Sequence, residues 1–332
     1  MRVLLTGVAG FVGRHLSRFL AQQGHDIFGT CHAESKTGLP AGTRLLECDI
    51  RKPEEVIEAL KQSRPERVYH LAAFSSSALS SENWIEVYNT NLFGTLNLLQ
   101  AVTQEAPKAR VLVVGSGQCY GTAVMGAILT ERHPLLPETP YAVSKAAADL
   151  AAYQFFRARK LHVVRARPFN HTGPGQRPDF VCSDFARQIA AIDLGLVPPV
   201  LRVGNLGLKR DFTDVRDVVR AYQLLLEKGA PGEAYNVCSG RARALREIVA
   251  TLQSFCPRRI RLTRQSVRLR RGDPPVIVGS SRKLQRATLW KSEIAFAVTL
   301  HDLFTYWRTE LQESAGLGRL SDDSARAKEA AN

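Results

Sequence analysis

A tyrosine and a lysine four residues apart, Tyr141 and Lys145, have the types and spacing for acid–base chemistry. On a helix this spacing places the phenol and the ammonium group on one face. A free phenol has a pKa of about 10, and a nearby ammonium group favours the phenolate, so we expect Lys145 to lower the pKa of Tyr141. Ser116 ends a predicted strand and would hold the oxygen that Tyr141 protonates. The sequence therefore predicts Ser116, Tyr141 and Lys145 as catalytic residues.

The first twenty residues carry the second chemical signal, a glycine turn between a predicted strand and an amphipathic helix. Gly7 permits the tight turn, Gly10 lets a pyrophosphate approach the backbone, and Gly13 lets the helix pack closely. Phosphates would lie on the free N–H groups at the positive helix end. We predict a site for NADP(H) or NAD(H). The residues predicted to contact it are Gly7, Gly10, Phe11, Val12, Gly13, Arg14, Asp49, Ile50, Leu71, Ala72, Ala73, Tyr141 and Lys145.

The elements around these residues alternate between strands and helices. Strands are predicted at 26–30, 44–49, 67–73 and 111–116, with helices at 53–62, 84–102 and 141–156 between them. This rhythm predicts an α/β protein with a doubly wound parallel Rossmann sheet and a smaller C-terminal α/β substrate lobe. Ligands of such sheets bind beyond the carboxyl ends of the strands, where Ser116 lies.

The choice between NAD and NADP depends on the end of the second strand. An NAD-selective site has a carboxylate there, whereas this chain has Thr30, Cys31 and His32, with Glu34 as the next acid. A 2′-phosphate would therefore not be repelled. Arg14 or Lys36 is available to meet it, which favours NADP and leaves plain surface charges as the alternative.

Composition is that of an ordinary globular protein, but the formal net charge is +14. Such a charge fits nucleic acid or anionic small molecules, and sparse aromatic residues among the late arginines favour the small molecule. Six cysteines are scattered without a C-x-x-C pair, so we expect free thiols and no metal site. The chain starts on a predicted strand and has no long apolar run, so we expect a cytoplasmic protein without a membrane span.

Several motifs resemble the extended short-chain dehydrogenase/reductase family. These are T-G-x-x-G-F-V-G, N-x-x-G-T-x-N at 91–97, the strand-end Ser116, and Y-x-x-x-K. The stretches at 167–176 and 210–217, with R-P-F-N-H-x-G-P-G-Q and R-D-F-x-D-V-x-D, are similar to the GDP-4-keto-6-deoxy-mannose reductase subgroup. The resemblance extends over nearly the whole chain to about residue 311.

This resemblance implies NAD(P)H-dependent reduction of the C4 keto group of GDP-4-keto-6-deoxy-mannose. The product would be a GDP-6-deoxyhexose such as GDP-rhamnose, a donor for polysaccharide synthesis. Arg210 and Arg270 would hold the diphosphate, and guanidinium groups suit phosphate oxygens. The residues implied to bind substrate are Gln118, Asn170, Asn205, Arg210, Arg270 and Asp273. His171 is expected to structure its loop. Helices at 84–102 and 141–157 resemble those that pair in a homodimer.

Gln118 departs from the family pattern. Related dehydratases carry a carboxylate at this position after the strand-end hydroxyl, and an amide cannot take a proton at neutral pH. This argues against 4,6-dehydration and leaves reduction possible, although related reductases often carry an acid here too. A nucleotide-sugar epimerase or dehydratase that recycles its cofactor stays open as the alternative. A non-catalytic cofactor sensor and a nucleic-acid-binding protein on the same fold are the remaining readings, supported only by the charge.

The chain is expected to divide into two lobes. Residues 1–168 and 206–240 are predicted to form the cofactor lobe, and residues 169–205 and 241–312 the nucleotide-sugar lobe. Residues 313–332 are rich in Ser, Ala, Gly and charge, which predicts a disordered tail.

Overall fold

The structure, a computed structural model, describes residues 1–31, 38–75, 83–121, 126–265 and 274–329, with side chains as far as residue 316. The chain divides into two compact units. The first unit contains residues 1–171, 210–242 and 274–293, and the second contains residues 172–209, 243–273 and 294–332. The residues that bear the predicted catalytic groups all belong to the first unit.

Seven parallel strands form the main sheet of the first unit in the described part of the chain. They are β1 (Arg2–Thr6), β2 (Asp26–Cys31), β3 (Arg44–Glu47), β4 (Arg67–His70), β5 (Arg110–Val114), β7 (Val163–Pro168) and β11 (Ala234–Val237). Their order is β11-β7-β5-β4-β1-β2-β3. The strand order therefore reverses between β1 and β4, where Thr6 is paired with His70. In open parallel sheets ligands bind at such a switch point, beyond the carboxyl ends of the strands.

Helices cover both faces of this sheet, and each face has its own apolar core. The helices of the first unit are α1 (Phe11–Ala21), α2 (Pro53–Ser63), α3 (Trp84–Tyr88), α4 (Gly94–Glu105), α5 (Pro140–Arg159), α7 (Val215–Lys228) and α9 (Arg282–Thr288). One core lies under α1 and α7, with Leu16 and Tyr222 fully buried. The other lies under α2, α4 and α5, with Leu60 and Leu98 fully buried. The predicted doubly wound Rossmann fold is confirmed.

A π-helical segment, Asn89–Phe93, joins α3 to α4, so residues 84–105 form one helical run. The predicted helix at 84–102 lies within it. Segments of π-helix are rare and often occur at functional sites. Here the segment carries Asn91, a residue of the N-x-x-G-T-x-N motif.

Residues 274–293 belong to the first unit, whereas the lobe prediction assigned them to the second. Helix α9 packs against α7 and β11. The Trp290 indole is fully buried and donates a hydrogen bond to the main-chain oxygen of Asp217 at 2.9 Å. Burial of so large a side chain draws the segment to the main sheet, and the sequence pattern gave no sign of this contact. A second sheet of this unit contains β10 (Lys209–Asp214), β14 (Val276–Gly279) and β6 (Ile128–Leu129), in that order.

The second unit is mainly helical. It contains α6 (Val181–Asp193), β9 (Val200–Val203), α8 (Leu245–Gln253), β13 (Arg261–Arg264) and α10 (Phe296–Glu329), and β9 pairs in parallel with β13. The short strands β8 (Asn170–Thr172) and β12 (Ala242–Ala244) lie where the chain passes between the units. Helices α6, α8 and α10 pack on one another.

The end of the chain differs from the expectation of a disordered tail. Helix α10 continues to Glu329. Residues 313–329 contain no proline and include alanine, leucine, glutamate and arginine, which favour helix and allow the last helix to extend. None of the helices in the described residues is long and apolar enough to span a membrane.

Candidate active site

Tyr141 lies in the first turn of α5, and Ser116 lies just beyond the end of β5. Thr139 caps the helix by accepting a hydrogen bond from the Ala142 amide, and Pro140 fits its first turn. The Ser116 side chain lies near the Tyr141 phenol and acts on its pKa as a hydrogen-bond partner. Ser116 Oγ also accepts a hydrogen bond from the Gln118 amide at 3.1 Å. The predicted phenol and hydroxyl are therefore adjacent.

Burial raises the pKa of Tyr141 to about 12, although the hydrogen bond to Ser116 acts in the opposite direction. The expected lowering by Lys145 is therefore wrong for this structure. Desolvation disfavours the phenolate, and its effect exceeds that of the hydrogen bond. Tyr141 consequently keeps its proton at neutral pH, as a general acid must.

Lys145 is buried one helical turn after Tyr141 and donates a hydrogen bond to the Val114 main-chain oxygen at 2.9 Å. Burial lowers the pKa of Lys145 to about 8. Because burial removes the water that stabilises an ammonium group, Lys145 keeps its positive charge only up to slightly alkaline pH. The site thus contains a protonated phenol and a lysine that titrates close to neutrality.

The glycine turn has the geometry that a dinucleotide requires. Gly7 has φ +70°, and a Cβ at this position would lie 2.9 Å from Cα and N of Ala72. A Cβ at Gly13 would lie 2.4 Å from the main-chain oxygen of Gly7, so the start of α1 packs directly on the turn. Gly10 is the N-cap of α1, where no side chain covers the first amides, and the first turn contains no acid. These residues fit a pyrophosphate at the helix N-terminus.

The other predicted cofactor residues line the ends of β3 and β4. Leu71, Ala72 and Ala73 follow β4 and are half-buried. The Asp49 carboxylate binds the Arg51 guanidinium with two hydrogen bonds, Nε to Oδ1 at 2.9 Å and a terminal nitrogen to Oδ2 at 2.7 Å. The Ile50 side chain is buried in the core beside Gly94. Asp49 therefore already has a strong partner, which its sequence position did not reveal.

Two arginines of α1 lie beside the loop that follows β2. Arg18 donates a hydrogen bond to the Gly38 main-chain oxygen at 2.7 Å, and Arg14 lies close to the same glycine. His32, Glu34 and Lys36 lie outside the described residues. Arg14 is thus placed between the glycine turn and the chain beyond β2, where the sequence predicted a partner for a 2′-phosphate.

Gln118 is exposed and lies in a turn of 3₁₀-helix, Gly117–Tyr120, that directly follows Ser116. The residue two positions after Ser116 therefore carries an amide rather than a carboxylate. The polar residue nearest Ser116 in sequence is therefore unable to act as an acid or a base.

The predicted substrate residues are distributed over both units. Asn170 and Arg210 lie in the first unit, where Arg210 donates a hydrogen bond to the Pro274 main-chain oxygen at 2.8 Å. Asn205 lies in the second unit, and its Oδ1 accepts a hydrogen bond from the Gly207 amide at 3.0 Å. Arg270 and Asp273 lie outside the described residues. These positions do not by themselves define a substrate pocket.

His171 fits the expected loop-structuring role. Its Nδ1 donates a hydrogen bond to the Phe169 main-chain oxygen at 3.0 Å, since a carbonyl only accepts. The ring stacks on Phe11 with a centroid distance of 6.2 Å. Burial lowers the pKa of His171, so the ring stays neutral at physiological pH.

A buried ion network behind the site was missed by the sequence reasoning. Asp149, one turn after Lys145, pairs with Arg165 and with Arg167 of β7. Arg167 also donates a hydrogen bond to the Tyr120 hydroxyl at 3.0 Å, at the end of the turn that follows Ser116. A signal existed, because Asp149 continues the helical face of Tyr141 and Lys145. The network links the catalytic helix to the turn beside Ser116.

A doubly wound sheet, a glycine turn at its switch point and a Ser-Tyr-Lys set together define a short-chain dehydrogenase/reductase. A family model described as GDP-mannose 4,6 dehydratase matches residues 4–303. The chain belongs to this family and is an oxidoreductase.

Similar proteins include a GDP-sugar reductase and a nucleotide-sugar epimerase. The GDP-6-deoxy-D-mannose reductase of Pseudomonas aeruginosa is 35% identical over 313 residues, 94% of this chain and 99% of that protein. The structure of RMD from Pseudomonas aeruginosa complexed with NADPH has a TM-score of 0.82 and 33% identity, covering 93% of this chain and all of that one. A UDP-glucose 4-epimerase from Thermotoga maritima, solved with UDP-glucose, has a TM-score of 0.85 and 25% identity, covering 94% of this chain and all of that one.

Proposed function

We propose that the protein reduces the C4 keto group of GDP-4-keto-6-deoxy-mannose to a GDP-6-deoxyhexose of the GDP-rhamnose type. The observation that carries this proposal is the placement of Ser116 beside Tyr141, just beyond the end of β5, with a phenol that stays protonated at neutral pH. Exposed Gln118 supports reduction over 4,6-dehydration, which needs a further acid or base. The similarity to a GDP-6-deoxy-D-mannose reductase supports the substrate. Such a product would serve polysaccharide synthesis in the cytoplasm.

Each residue of the set has one task. The cofactor supplies the hydride that C4 receives. Ser116 donates a hydrogen bond to the C4 oxygen, and Tyr141 transfers its proton to that oxygen. The Lys145 ammonium offsets the negative charge that this transfer leaves on Tyr141 and orients the nicotinamide ribose. Asn170, Asn205 and Arg210 are proposed to hold the nucleotide sugar, together with Arg270 and Asp273.

The cofactor proposed for the glycine turn is NADPH, with NADH as the alternative. Arg14 lies close to Gly38 in the chain beyond β2, and the similar structure of RMD from Pseudomonas aeruginosa contains NADPH. Removing the guanidinium in Arg14→Ala should raise KM for NADPH by about tenfold or more, because a charge-assisted contact is lost. KM for NADH serves as the internal control and should change little. Equal changes in the two KM values would contradict this assignment.

A homodimer through α3, the π-helical segment and α5 is also part of the proposal. Large apolar side chains are exposed on these helices: Trp84 (53%), Ile85 (56%), Phe93 (53%) and Leu150 (56%). Helix α3 packs beside α5, so the residues share one region of the first unit. Contiguous exposed apolar surface of this kind typically marks a protein interface.

The decisive experiment mixes the protein with a dehydratase-generated GDP-4-keto sugar and NADPH and identifies the product by NMR. We expect one NADPH to be consumed for each keto group reduced. An epimerase or dehydratase would convert its substrate without net NADPH consumption, and this outcome would replace the proposed function. Tyr141→Phe should abolish NADPH oxidation while GDP still binds, and retained turnover would exclude Tyr141 as the acid.

A further inference from the structure

A buried histidine with no assigned role, His70, lies between the glycine turn and the helical run of residues 84–105. Its Nδ1 lies 2.8 Å from Thr6 Oγ1, and its Nε2 lies 2.9 Å from Thr95 Oγ1. Thr95 Oγ1 in turn donates to the Asn91 main-chain oxygen at 2.6 Å. All four residues are almost completely buried. The sheet's switch point therefore contains a linear series of hydrogen bonds from Thr6 through His70 and Thr95 to the Asn91 main chain.

The tautomer of His70 follows from counting donors. Thr6 Oγ1 accepts hydrogen bonds from the Leu71 and Ala72 amides, both at 3.1 Å. The Leu71 amide is shared with the Thr6 main-chain oxygen at 3.2 Å, so the proton directions are fixed at the other end of the ring. The single proton of Thr95 Oγ1 goes to the Asn91 main-chain oxygen, so Thr95 Oγ1 must accept from His70 Nε2–H, and Nδ1 accepts from the Thr6 hydroxyl. Nδ1 is therefore unprotonated, and the single ring proton lies on Nε2, where it is donated to Thr95. The hydroxyl protons of Thr6 and Thr95 and the ring proton of His70 therefore each have one possible direction.

The series of hydrogen bonds continues from Asn91 to α5, the helix that carries Tyr141 and Lys145. Asn91 Oδ1 accepts a hydrogen bond from the Phe74 amide at 2.7 Å, and Nδ2 donates to Ser144 Oγ at 2.9 Å. Ser144 Oγ donates to the Tyr141 main-chain oxygen at 2.8 Å. Ser144 directly precedes Lys145. The hydrogen bonds thus link Thr6, beside the glycine turn, to the two turns of α5 that carry the proposed acid and lysine, with Asn91 joining the two parts through its main chain and its side chain.

We propose that His70 is a positioning residue whose neutral Nε2–H tautomer couples the glycine turn to the helix that carries Tyr141 and Lys145. This inference rests on the proposed roles of those two residues. An imidazolium would direct its Nδ1 proton at the Thr6 hydroxyl proton. This would break the first hydrogen bond of the series. A histidine fits because one edge of its ring accepts while the other donates, at a fixed separation.

The electrostatics of the site favour the same neutral form. Burial lowers the pKa of His70 to about 3, and the positive charge of Lys145 acts in the same direction. Lys145 is the charged group that bears on His70 among the described residues. A neutral ring leaves the Lys145 ammonium without a competing positive charge, so the two groups are compatible only in this protonation state.

The first experiment observes the ring directly. Protein labelled with ¹⁵N-histidine is studied by NMR between about pH 5.5 and about pH 9, a range around the ordinary histidine pKa. His70→Gln identifies the signal that belongs to residue 70. We expect a neutral Nε2–H signature that does not change across this range. An Nδ1–H signature, or a ring that titrates within the range, would overturn the inference whether or not the protein is a reductase.

The second experiment uses two threonines of the same helix. Thr95→Val removes the donor to Asn91 and the acceptor for His70. The control Thr103→Val removes a similar hydrogen bond, from Thr103 Oγ1 to the Leu99 main-chain oxygen at 2.8 Å, two turns away from the chain. We expect kcat to fall by about 10²-fold in Thr95→Val, as small misplacements at a reacting centre can cause, and to change little in Thr103→Val.

The pH profile separates positioning from simple loss of folded protein. If the hydrogen bonds from Thr6 to α5 position that helix, breaking them lets water reach Lys145. The pKa of Lys145 then rises towards its ordinary value. The alkaline limb of kcat should therefore move to higher pH in Thr95→Val and stay in place in Thr103→Val. If the limb does not move and kcat falls only in proportion to the folded fraction, then His70 has a structural role alone. Wild-type protein that does not oxidise NADPH would instead refute the proposed function.

Discussion

The Lys145 ammonium donates a hydrogen bond to the Val114 main-chain oxygen at 2.9 Å, two residues before Ser116. This contact ties α5 to the end of the strand that leads to Ser116. Its strength depends on the charge of Lys145, because hydrogen bonds from charged donors are roughly twice as strong as neutral ones. The lysine therefore links the protonation state of the site to its geometry.

Activity should have an alkaline limb set by Lys145. Burial lowers the pKa of this group to about 8, so kcat should fall as the pH rises through this value and the ammonium is lost. Tyr141, with a pKa raised to about 12, loses its proton too late to set that limb. The rate of NADPH oxidation with saturating keto sugar, measured from about pH 6 to about pH 10, tests this expectation.

Lys145→Arg is the matched variant for this prediction. A guanidinium stays charged up to about pH 12, so the limb near the lysine pKa should disappear even though the absolute rate falls. If the limb persists in Lys145→Arg, another group sets it. A flat wild-type profile would show that the charge of Lys145 does not contribute to the rate.

Sequence reasoning named the candidate groups of this site but predicted the wrong direction for the pKa shift of Tyr141. The glycine turn and the Tyr141–Lys145 pair are visible because local spacing fixes them on a strand, a turn and a helix. The upward shift of the Tyr141 pKa was not predictable, because burial depends on elements distant in sequence. The hydrogen bonds of His70 were not predictable for the same reason, since its partner Thr6 lies 64 residues away. Likewise, Trp290 gave no local sign that it packs against α7.

Gly7→Ala should impair both folding and cofactor binding, and Gly24→Ala is its control. Both glycines have positive φ, +70° and +76°, so each alanine incurs a backbone cost of about 1–2 kcal/mol. Only at Gly7 would the new Cβ meet the backbone, 2.9 Å from Cα and N of Ala72, whereas nothing lies within 4 Å at Gly24. We expect a larger loss of unfolding free energy, measured in urea, and a loss of NADPH affinity for Gly7→Ala alone. Equal losses in the two variants would show that contact with Ala72 is not limiting.

Leu150→Asp should separate the proposed dimer. Leu150 is 56% exposed on α5, so the substitution leaves the apolar core of the subunit intact and places a charge in the proposed interface. Leu289→Asp is the control, because Leu289 is 81% exposed at the end of α9, away from these helices. Sedimentation equilibrium should give monomers for Leu150→Asp and dimers for wild type and Leu289→Asp. Unchanged mass in Leu150→Asp would place the interface elsewhere.

Asp149→Asn should destabilise the protein far more than the same substitution at Asp26. Asp149 is almost fully buried and pairs with Arg165 at 2.6 Å and Arg167 at 2.8 Å, so its loss leaves two buried guanidinium groups without their counter-charge. Breaking a buried pair typically costs about 3–5 kcal/mol. Asp26 pairs with Arg44 at the surface, where the cost is about 0–1 kcal/mol.

Asp149→Asn should also lower kcat, because Arg167 donates a hydrogen bond to Tyr120 at the end of the turn that follows Ser116. Urea unfolding measures the loss of stability, and kcat at a temperature where Asp149→Asn is fully folded measures the loss of alignment. We expect kcat to fall in Asp149→Asn and to stay constant in Asp26→Asn. A folded Asp149→Asn protein with wild-type kcat would show that the ion network stabilises the fold without aligning Ser116 with Tyr141.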